Sequence, residues 1–168
     1  MPLKERLVFD AAAGTVHDGP RRYLLMRPDV LMGMLRRLPP PQRAQAMSAF
    51  ADAIGEHGAD SLRAYLAQLG GDRRALIDAT IAAAGDLGWG RWRLAQDGGE
   101  LAMSVQGSPF AEGYGAADAP VCAPVRGMFG ALAARVRDTP MHAEELACAA
   151  MGAPCCTFVA RPVSPPGA

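Results

Sequence analysis

The sequence lacks the features that mark several large classes of protein. Its 17 basic and 17 acidic residues balance to a formal net charge of zero and are dispersed, which argues against a nucleic-acid partner. No apolar run approaches the roughly 18 residues of a membrane span, and the charged opening MPLKER predicts no signal peptide. Because half of the residues are apolar and only 20% are charged, disorder is also unfavourable. We therefore expect a single folded domain over residues 1–168, located in the cytoplasm.

The sequence also lacks the signatures of common catalytic cofactors. The glycine-rich stretch GYGAAD at 113–118 places Asp118 where a dinucleotide fingerprint requires its third glycine, and no strand leads directly into it. Neither a nicotinamide signature, nor a flavin signature, nor an acid/base pair in a cleft is recognisable. A DNA-binding or ATPase segment is missing as well, which excludes a complete transcription activator. We therefore assign no catalytic residues and favour a binding role over an enzymatic one.

Cysteine is scarce, and its placement is uneven. The four cysteines, at positions 122, 148, 155 and 156, all fall in the last third of the chain, with Glu144 and Glu145 between them. In a reducing cytoplasm such thiols can bind a metal ion, although small buried cysteines without a metal are common too. Cys155 and Cys156 are adjacent, so in a strand only one of them can face a shared ion. Metal binding and plain burial both remain open on spacing alone.

Periodicity predicts a mostly helical N-terminal half and a β-rich C-terminal half. Two short strands are expected at 7–10 and 21–26, with His17 in the turn between them, followed by a helix over 30–38 capped by Asp29. Helices are expected over 42–69, with a possible break at 55–58, and over 73–84, capped by Asp72. From Trp89 the period changes to two, and Gly98-Gly99 predicts a hairpin of strands 89–97 and 100–107, with Trp89 and Trp92 on opposite faces. A helix after Pro124 and two strands within 141–161 complete the expected order.

Several spaced features of the C-terminal half resemble the 4-vinyl reductase domain. They are a Ser-Pro-Phe turn, a cysteine ahead of a glycine-containing helix, and the pattern E-x-x-C-x-x-x-G-x-x-x-C-x-F, found here at Ser108-Pro109-Phe110, Cys122, Glu145, Cys148, Gly152, Cys156 and Phe158. The resemblance covers roughly residues 75–161. It implies an α+β fold in which an antiparallel sheet of about four to five strands packs on helices, as in haem-NO-binding and trafficking-complex relatives. Residues 1–74 would be strands and helices for dimerisation, and residues 162–168 a disordered tail.

The same resemblance implies a zinc site. Family members that bind zinc use a Cys, Glu, Cys, Cys set, which corresponds to Cys122, Glu145, Cys148 and Cys156 and leaves Cys155 out. Such a centre has a net formal charge of about −2 and no open position, so it would be structural and not catalytic. In a straight strand Glu144, not Glu145, shares a face with Cys148. A bulge is therefore expected between Glu145 and Cys148, with Glu144 and His142 as the alternative ligands.

The function that this resemblance implies is the binding of a hydrophobic or aromatic small molecule. The expected apolar cavity lies between sheet and helices, with the segment 108–120 as a lid. Its candidate lining residues are Trp89, Trp92, Leu101, Met103, Phe110, Tyr114, Met128 and Phe129. Leu101 stands at the position of the tryptophan found in phenol sensors, and no histidine occurs between 58 and 141, which disfavours a phenolic ligand. The alternatives are an enzyme or carrier for vinyl tetrapyrroles and a ligand-free assembly subunit. A homodimer is expected in each case.

Overall fold

Two antiparallel sheets and six α-helices make up the fold in the computed structural model, which describes residues 2–163. The predicted α+β class is confirmed, and so is the four-stranded sheet. The helices are α1 (Leu3–Arg6), α2 (Pro28–Arg37), α3 (Pro40–Gln68), α4 (Arg73–Asp86), α5 (Pro109–Tyr114) and α6 (Ala123–Arg137). The strands are β1 (Val8–Asp10), β2 (Thr15–Asp18), β3 (Arg21–Tyr23), β4 (Arg91–Asp97), β5 (Glu100–Gln106), β6 (Met141–Ala147) and β7 (Cys156–Pro162), and a 3₁₀ turn spans Ala149–Met151.

The N-terminal sheet has one strand more than the sequence predicts. The expected turn at His17 is wrong, because His17 lies in β2, where it pairs with Val8 on one side and Arg22 on the other. This short polar strand resembles a turn in the sequence because Gly14 and Gly19, both with positive φ, bracket it closely. Arg6 holds this sheet to α3: its guanidinium donates to both carboxylate oxygens of Asp18 and to the Tyr65 hydroxyl. The pairing with Arg6 lowers the pKa of the Asp18 carboxyl.

The helix boundaries confirm one predicted cap and correct another. Asp72 caps α4 by accepting from the amides of Arg74 and Ala75. Asp29 is not the cap of α2, because Pro28 already occupies the first turn and Arg27 is the N-cap. Helix α3 runs without the predicted break, so its glycines must have another role.

The glycines of α3 and α6 permit these two helices to approach closely. A Cβ atom built on Gly127 would lie 2.0 Å from the carbonyl oxygen of Ala51, and one built on Gly55 would lie 3.4 Å from the carbonyl oxygen of Gly127. Gly58 faces the sulfur of Met128 in the same way. What the sequence suggests as a helix break is thus a helix–helix contact with no room for side chains.

The larger sheet presents one face to the helices and the other to solvent. Its strand order is β4-β5-β7-β6, all antiparallel. Helices α4 and α6 pack on its inner face, and α3 packs on α6. The inner face contributes buried side chains to the main core, namely Trp92, Leu101, Met103, Val105, Ala143, Cys156, Phe158 and Ala160. Strand β7 extends to Pro162, which the sequence predicts as part of the tail, and residues 164–168 lie outside the described part of the chain.

Candidate metal centre and ligand site

Three cysteines and one glutamate converge at the end of the inner sheet face. Cys122 is the N-cap residue of α6, Glu145 lies in β6, Cys148 follows β6 directly, and Cys156 begins β7. One ligand atom from each of the four residues lies within 4.8 Å of the other three. The Cys122 sulfur is 3.5 Å from that of Cys156 and 3.9 Å from that of Cys148. The structure therefore brings together the whole set that the family pattern implied.

A β-bulge gives Glu145 its place in the cluster. Along β6, Glu145 pairs with Phe158 and Ala147 pairs with Thr157, so Leu146 is an extra residue between them. This inserted residue puts Glu145 and Cys148 on the same side of the sheet, as the sequence required. Glu144, the alternative ligand, is exposed and lies 3.7 Å from Arg161 across the outer face. Its neighbour on that strand, His142, is also exposed and outside the cluster.

The electrostatics of the cluster are those of buried acids without a cation. Burial and the neighbouring Cys148 raise the pKa of the Glu145 carboxyl to about 8. Hydrogen bonds with the sulfurs of Cys148 and Cys156, and then burial, raise the pKa of the Cys122 thiol. The pKa of Cys148 is lowered, because its sulfur accepts hydrogen bonds from the other two thiols. A divalent cation would reverse this balance, since a coordinated thiol loses its proton outright.

The polar atoms of the cluster fit a metal ion better than they fit one another. Glu145 Oε2 accepts from the amide of Cys122 at 2.9 Å, whereas Glu145 Oε1 is buried with no hydrogen-bond partner. A buried carboxylate oxygen without a partner is costly unless something else satisfies it. Three thiolates and one carboxylate form a suitable tetrahedral donor set for zinc. Cys155 is half-buried, and its sulfur is not one of the converging ligand atoms.

Two neighbouring groups contact the sulfurs of the cluster. The amide of Ala149 donates to Cys156 Sγ at 3.3 Å, and the Ser108 hydroxyl lies 3.2 Å from Cys122 Sγ. Ser108 itself is buried, with 3% of its surface exposed. The sequence draws attention to Ser108 only as part of the Ser-Pro-Phe turn. Nothing in its spacing from Cys122 indicates a contact, because the contact depends on how α5 folds back.

The eight candidate ligand-binding residues lie together, but they pack into the core and do not line a hollow. Six of them are buried and two, Trp89 and Met128, are partly buried against that core, the buried ones being Trp92, Leu101, Met103, Phe110, Tyr114 and Phe129. Trp89 is not on the strand face of Arg91, because the chain turns at Gly90 before β4 begins. It packs edge-on against Phe110 at 5.1 Å and is 6.4 Å from Trp92. The two tryptophans therefore lie on one side.

Surface cavities along residues 2–163 occur mainly elsewhere. A groove of about 810 Å³ runs between α3, α6 and the start of β6, lined largely by alanine and glycine with Asp52, Glu56, Arg126 and Arg135. A smaller cavity of about 400 Å³ includes one candidate ligand residue, Trp92. The predicted pocket is therefore filled by its own side chains in this conformation.

The segment expected to form a lid is fixed at several points. It contains α5, whose Phe110, Ala111 and Tyr114 are buried. Arg43 donates to the Tyr114 hydroxyl at 2.9 Å, and Arg36 donates to the Tyr114 carbonyl at 3.1 Å. A Cβ atom built on Gly113 would lie 2.5 Å from the backbone of Pro28. Helix α5 is thus packed directly on α2 and pinned by α2 and α3.

Comparison with known families identifies the region that carries the cluster. Residues 101–162 match the model of the 4-vinyl reductase domain. This chain contains a 4-vinyl reductase domain. The matched region spans β5 to β7 and includes all four cluster residues, whereas helices α1 to α4 and the N-terminal sheet precede it. No curated protein matches the sequence.

Solved structures extend the similarity of fold beyond the 4-vinyl reductase domain. The phenol-responsive sensory domain of the transcription activator PoxR, solved with phenol, shares 19% identity with a TM-score of 0.81, over 95% of this chain and 86% of its own. A vinyl-4-reductase family protein from Methanocaldococcus jannaschii shares 10% identity with a TM-score of 0.54, over 84% and 98%. Subunit 3 of a trafficking protein particle complex from Naegleria fowleri, covalently bound to palmitic acid, shares 10% with a TM-score of 0.54, over 82% and 95%. At these identities the likeness concerns the fold.

None of the helices within residues 2–163 combines the length and apolarity required of a membrane span.

Proposed function

We propose that this protein is a small-molecule binding module that holds a hydrophobic or aromatic ligand between the larger sheet and its helices. The observation that carries the proposal is the match over 95% of the chain to a sensory domain solved with phenol. The inner sheet face supports it, because Leu101, Met103 and the aromatic pair Phe129 and Phe158 form an apolar layer there. In the described conformation this layer is closed, so a ligand must displace side chains. Methionine is suited to such displacement because its side chain is flexible.

Ligand binding should raise the melting temperature of the protein. A ligand at 100 times its dissociation constant stabilises the folded state by about 2.7 kcal/mol, which corresponds to about 5 to 10 °C in a domain of this size. Differential scanning fluorimetry with phenol, indole, palmitate and a divinyl tetrapyrrole measures this shift for four chemical classes. We expect one of the first three compounds to produce it.

A pair of adjacent variants tests where such a ligand sits. Met103 faces the core and Ser104, the next residue of β5, faces the opposite side of the sheet. Met103→Phe should abolish the ligand-induced shift by filling the site, whereas Ser104→Phe should preserve it. A shift that survives in Met103→Phe would place the ligand elsewhere, and reduction of the tetrapyrrole with NADPH would favour the enzymatic alternative.

A ligand-free assembly subunit is the second candidate function. The filled core favours it, because all eight candidate ligand residues are occupied by contacts with one another and with their neighbours. Absence of a shift with every compound of the panel would support this function over ligand binding.

We propose that zinc is the structural metal of the protein and that Cys122, Glu145, Cys148 and Cys156 hold it. The metal would neutralise part of the buried negative charge and fix the start of α6, the end of β6 and the start of β7 to one another. No position is left for water or substrate, so it takes no part in chemistry. The four free cysteines fit a reducing compartment, and we propose the cytoplasm as the location.

A homodimer formed through residues 1–74 is the partnership that we propose. Seven large apolar side chains within residues 8–34 are between 51% and 77% exposed, which exceeds what single scattered residues explain: Val8, Phe9, Leu24, Leu25, Met26, Val30 and Met34. A second copy of the chain would bury such residues on both partners at once.

Adding charge to these side chains should separate the copies. We expect the double variant Phe9→Glu/Leu25→Glu to have a mass near the 17.6 kDa of one chain by light scattering, and the unchanged protein to have twice that mass. Leu146→Glu is the control, because Leu146 is 57% exposed on the bulge of β6, outside this region. A monomeric unchanged protein, or a dimer that persists in the double variant, would contradict the proposal.

A further inference from the structure

Ser108 is placed unusually for a residue at the start of a helix. Serine at an N-cap position commonly accepts a hydrogen bond from an amide of its own helix. Ser108 is the N-cap residue of α5, yet its side chain makes no such bond. The hydroxyl is instead 3.2 Å from Cys122 Sγ, in a buried position. The capping bond of α5 is thus replaced by a contact with the metal cluster.

A thiolate is the acceptor that gives this contact a purpose. The proposed zinc centre is buried and carries a net negative charge of about two, since three thiolates and a carboxylate exceed the two positive charges of the ion. Hydrogen-bond donors around such ligands orient them and commonly change metal affinity by about 10- to 100-fold. The Ser108 hydroxyl can donate to Cys122, just as the Ala149 amide donates to Cys156.

The other end of α5 is attached to the N-terminal half of the protein. Arg36 of α2 and Arg43 of α3 both donate to Tyr114, and Gly113 contacts the backbone of Pro28. Helix α5 is only six residues long and lies between these contacts and Ser108. A change at the Cys122 sulfur is therefore one short, rigid element away from α2.

We propose that Ser108 is a positioning residue that donates its hydroxyl proton to the Cys122 thiolate and so couples metal loading to the docking of α5 on α2. This inference rests on the proposed metal site, and it adds a pathway from that site to the N-terminal half. When the metal is bound, Cys122 is a permanent acceptor and α5 is held at both ends. Without the metal, the thiol of Cys122 is shared with the other sulfurs and α5 loses a partner.

Metal affinity and amide hydrogen exchange test the coupling. We expect Ser108→Ala to bind zinc about 10- to 100-fold more weakly in a chelator competition, and to shift the thiolate-to-metal charge-transfer bands of the cobalt-loaded protein. Ser108→Thr, which keeps the hydroxyl, should restore both. In the unchanged protein, zinc should slow exchange in peptides from α5 and α2 as well as from residues 121–123 and 145–156. In Ser108→Ala, zinc should slow exchange in the second group alone.

The outcomes separate this inference from the metal site itself. Ser104→Ala, on the outer sheet face, is the matched serine control and should behave as the unchanged protein. Unaltered affinity and cobalt spectra in Ser108→Ala would overturn the coupling and leave the metal site standing. Exchange in α5 that does not respond to zinc in the unchanged protein would also overturn it, even if Ser108→Ala failed to fold. An unchanged protein that takes up no metal would overturn both.

Discussion

Cys156→Ser should lose stoichiometric zinc and melt at least about 10 °C below the unchanged protein, whereas Cys155→Ser should stay within about 2 °C of it. The reason is that Cys156 contributes to the buried cluster and its immediate neighbour does not. Structural zinc contributes about 10 to 16 kcal/mol of apparent binding energy in small peptides, against a stability of about 5 to 15 kcal/mol for a whole domain. Loss of the metal should therefore unfold the region around α6, β6 and β7.

Elemental analysis of protein purified without added metal, together with thermal unfolding, measures both parts of this result. The two serine variants change the same atom at adjacent positions, so general effects of replacing a thiol cancel between them. Well-folded, unchanged protein with a zinc content near zero would reject the site. Equal losses of stability in the two variants would show that packing of the thiols, and not the metal, is responsible.

Gly127→Ala should lower the free energy of unfolding by about 3 kcal/mol, which is a fall of about 6 to 12 °C in melting temperature. The added methyl group would lie 2.0 Å from the carbonyl oxygen of Ala51 and 2.8 Å from its carbonyl carbon. Because these are backbone atoms in the middle of α3, no side chain can move aside to relieve the overlap. The two helices must separate, and the buried residues of α6 lose contacts.

Gly130→Ala, three residues further along α6, is the matched control. Its nearest contact would be the Ala143 Cβ atom at 3.4 Å, which is an ordinary packing distance. Alanine is the better helix former by about 1 kcal/mol, so this variant should be neutral or slightly more stable. Chemical denaturation of both variants measures the difference. Similar stabilities for Gly127→Ala and Gly130→Ala would contradict the close approach of α3 and α6.

The elements that the sequence predicts well are those determined by local chemistry. Gly98-Gly99 between two alternating segments predicts the hairpin of β4 and β5, and the structure has it with Asp97 paired to Glu100. Asp72 predicts the start of α4 for a similarly local reason, since its carboxylate accepts from the first amides of the helix. The bulge in β6 also follows from the sequence, given that Glu145 and Cys148 must meet.

The elements that the sequence predicts poorly depend on tertiary contacts. Gly55 and Gly58 favour a break in an isolated helix, but in the fold their purpose is contact with α6. The contact of Ser108 with Cys122 joins residues 14 positions apart through a turn whose path is set by packing. Alternation places Leu101 and Met103 on the inner sheet face correctly. Whether that face leaves a cavity depends on the summed volumes of side chains from several helices, which periodicity does not encode.

The inserted Leu146 also affects the exposed border of the larger sheet. Strand β6 is the last strand on its side, so its outward amides and carbonyls could pair with any passing extended chain. A bulge interrupts the regular spacing of those groups and increases the local twist, so a continuous ladder cannot form along it. The residue that brings Glu145 into line with Cys148 thus also protects the protein against growth into sheet aggregates at high concentration.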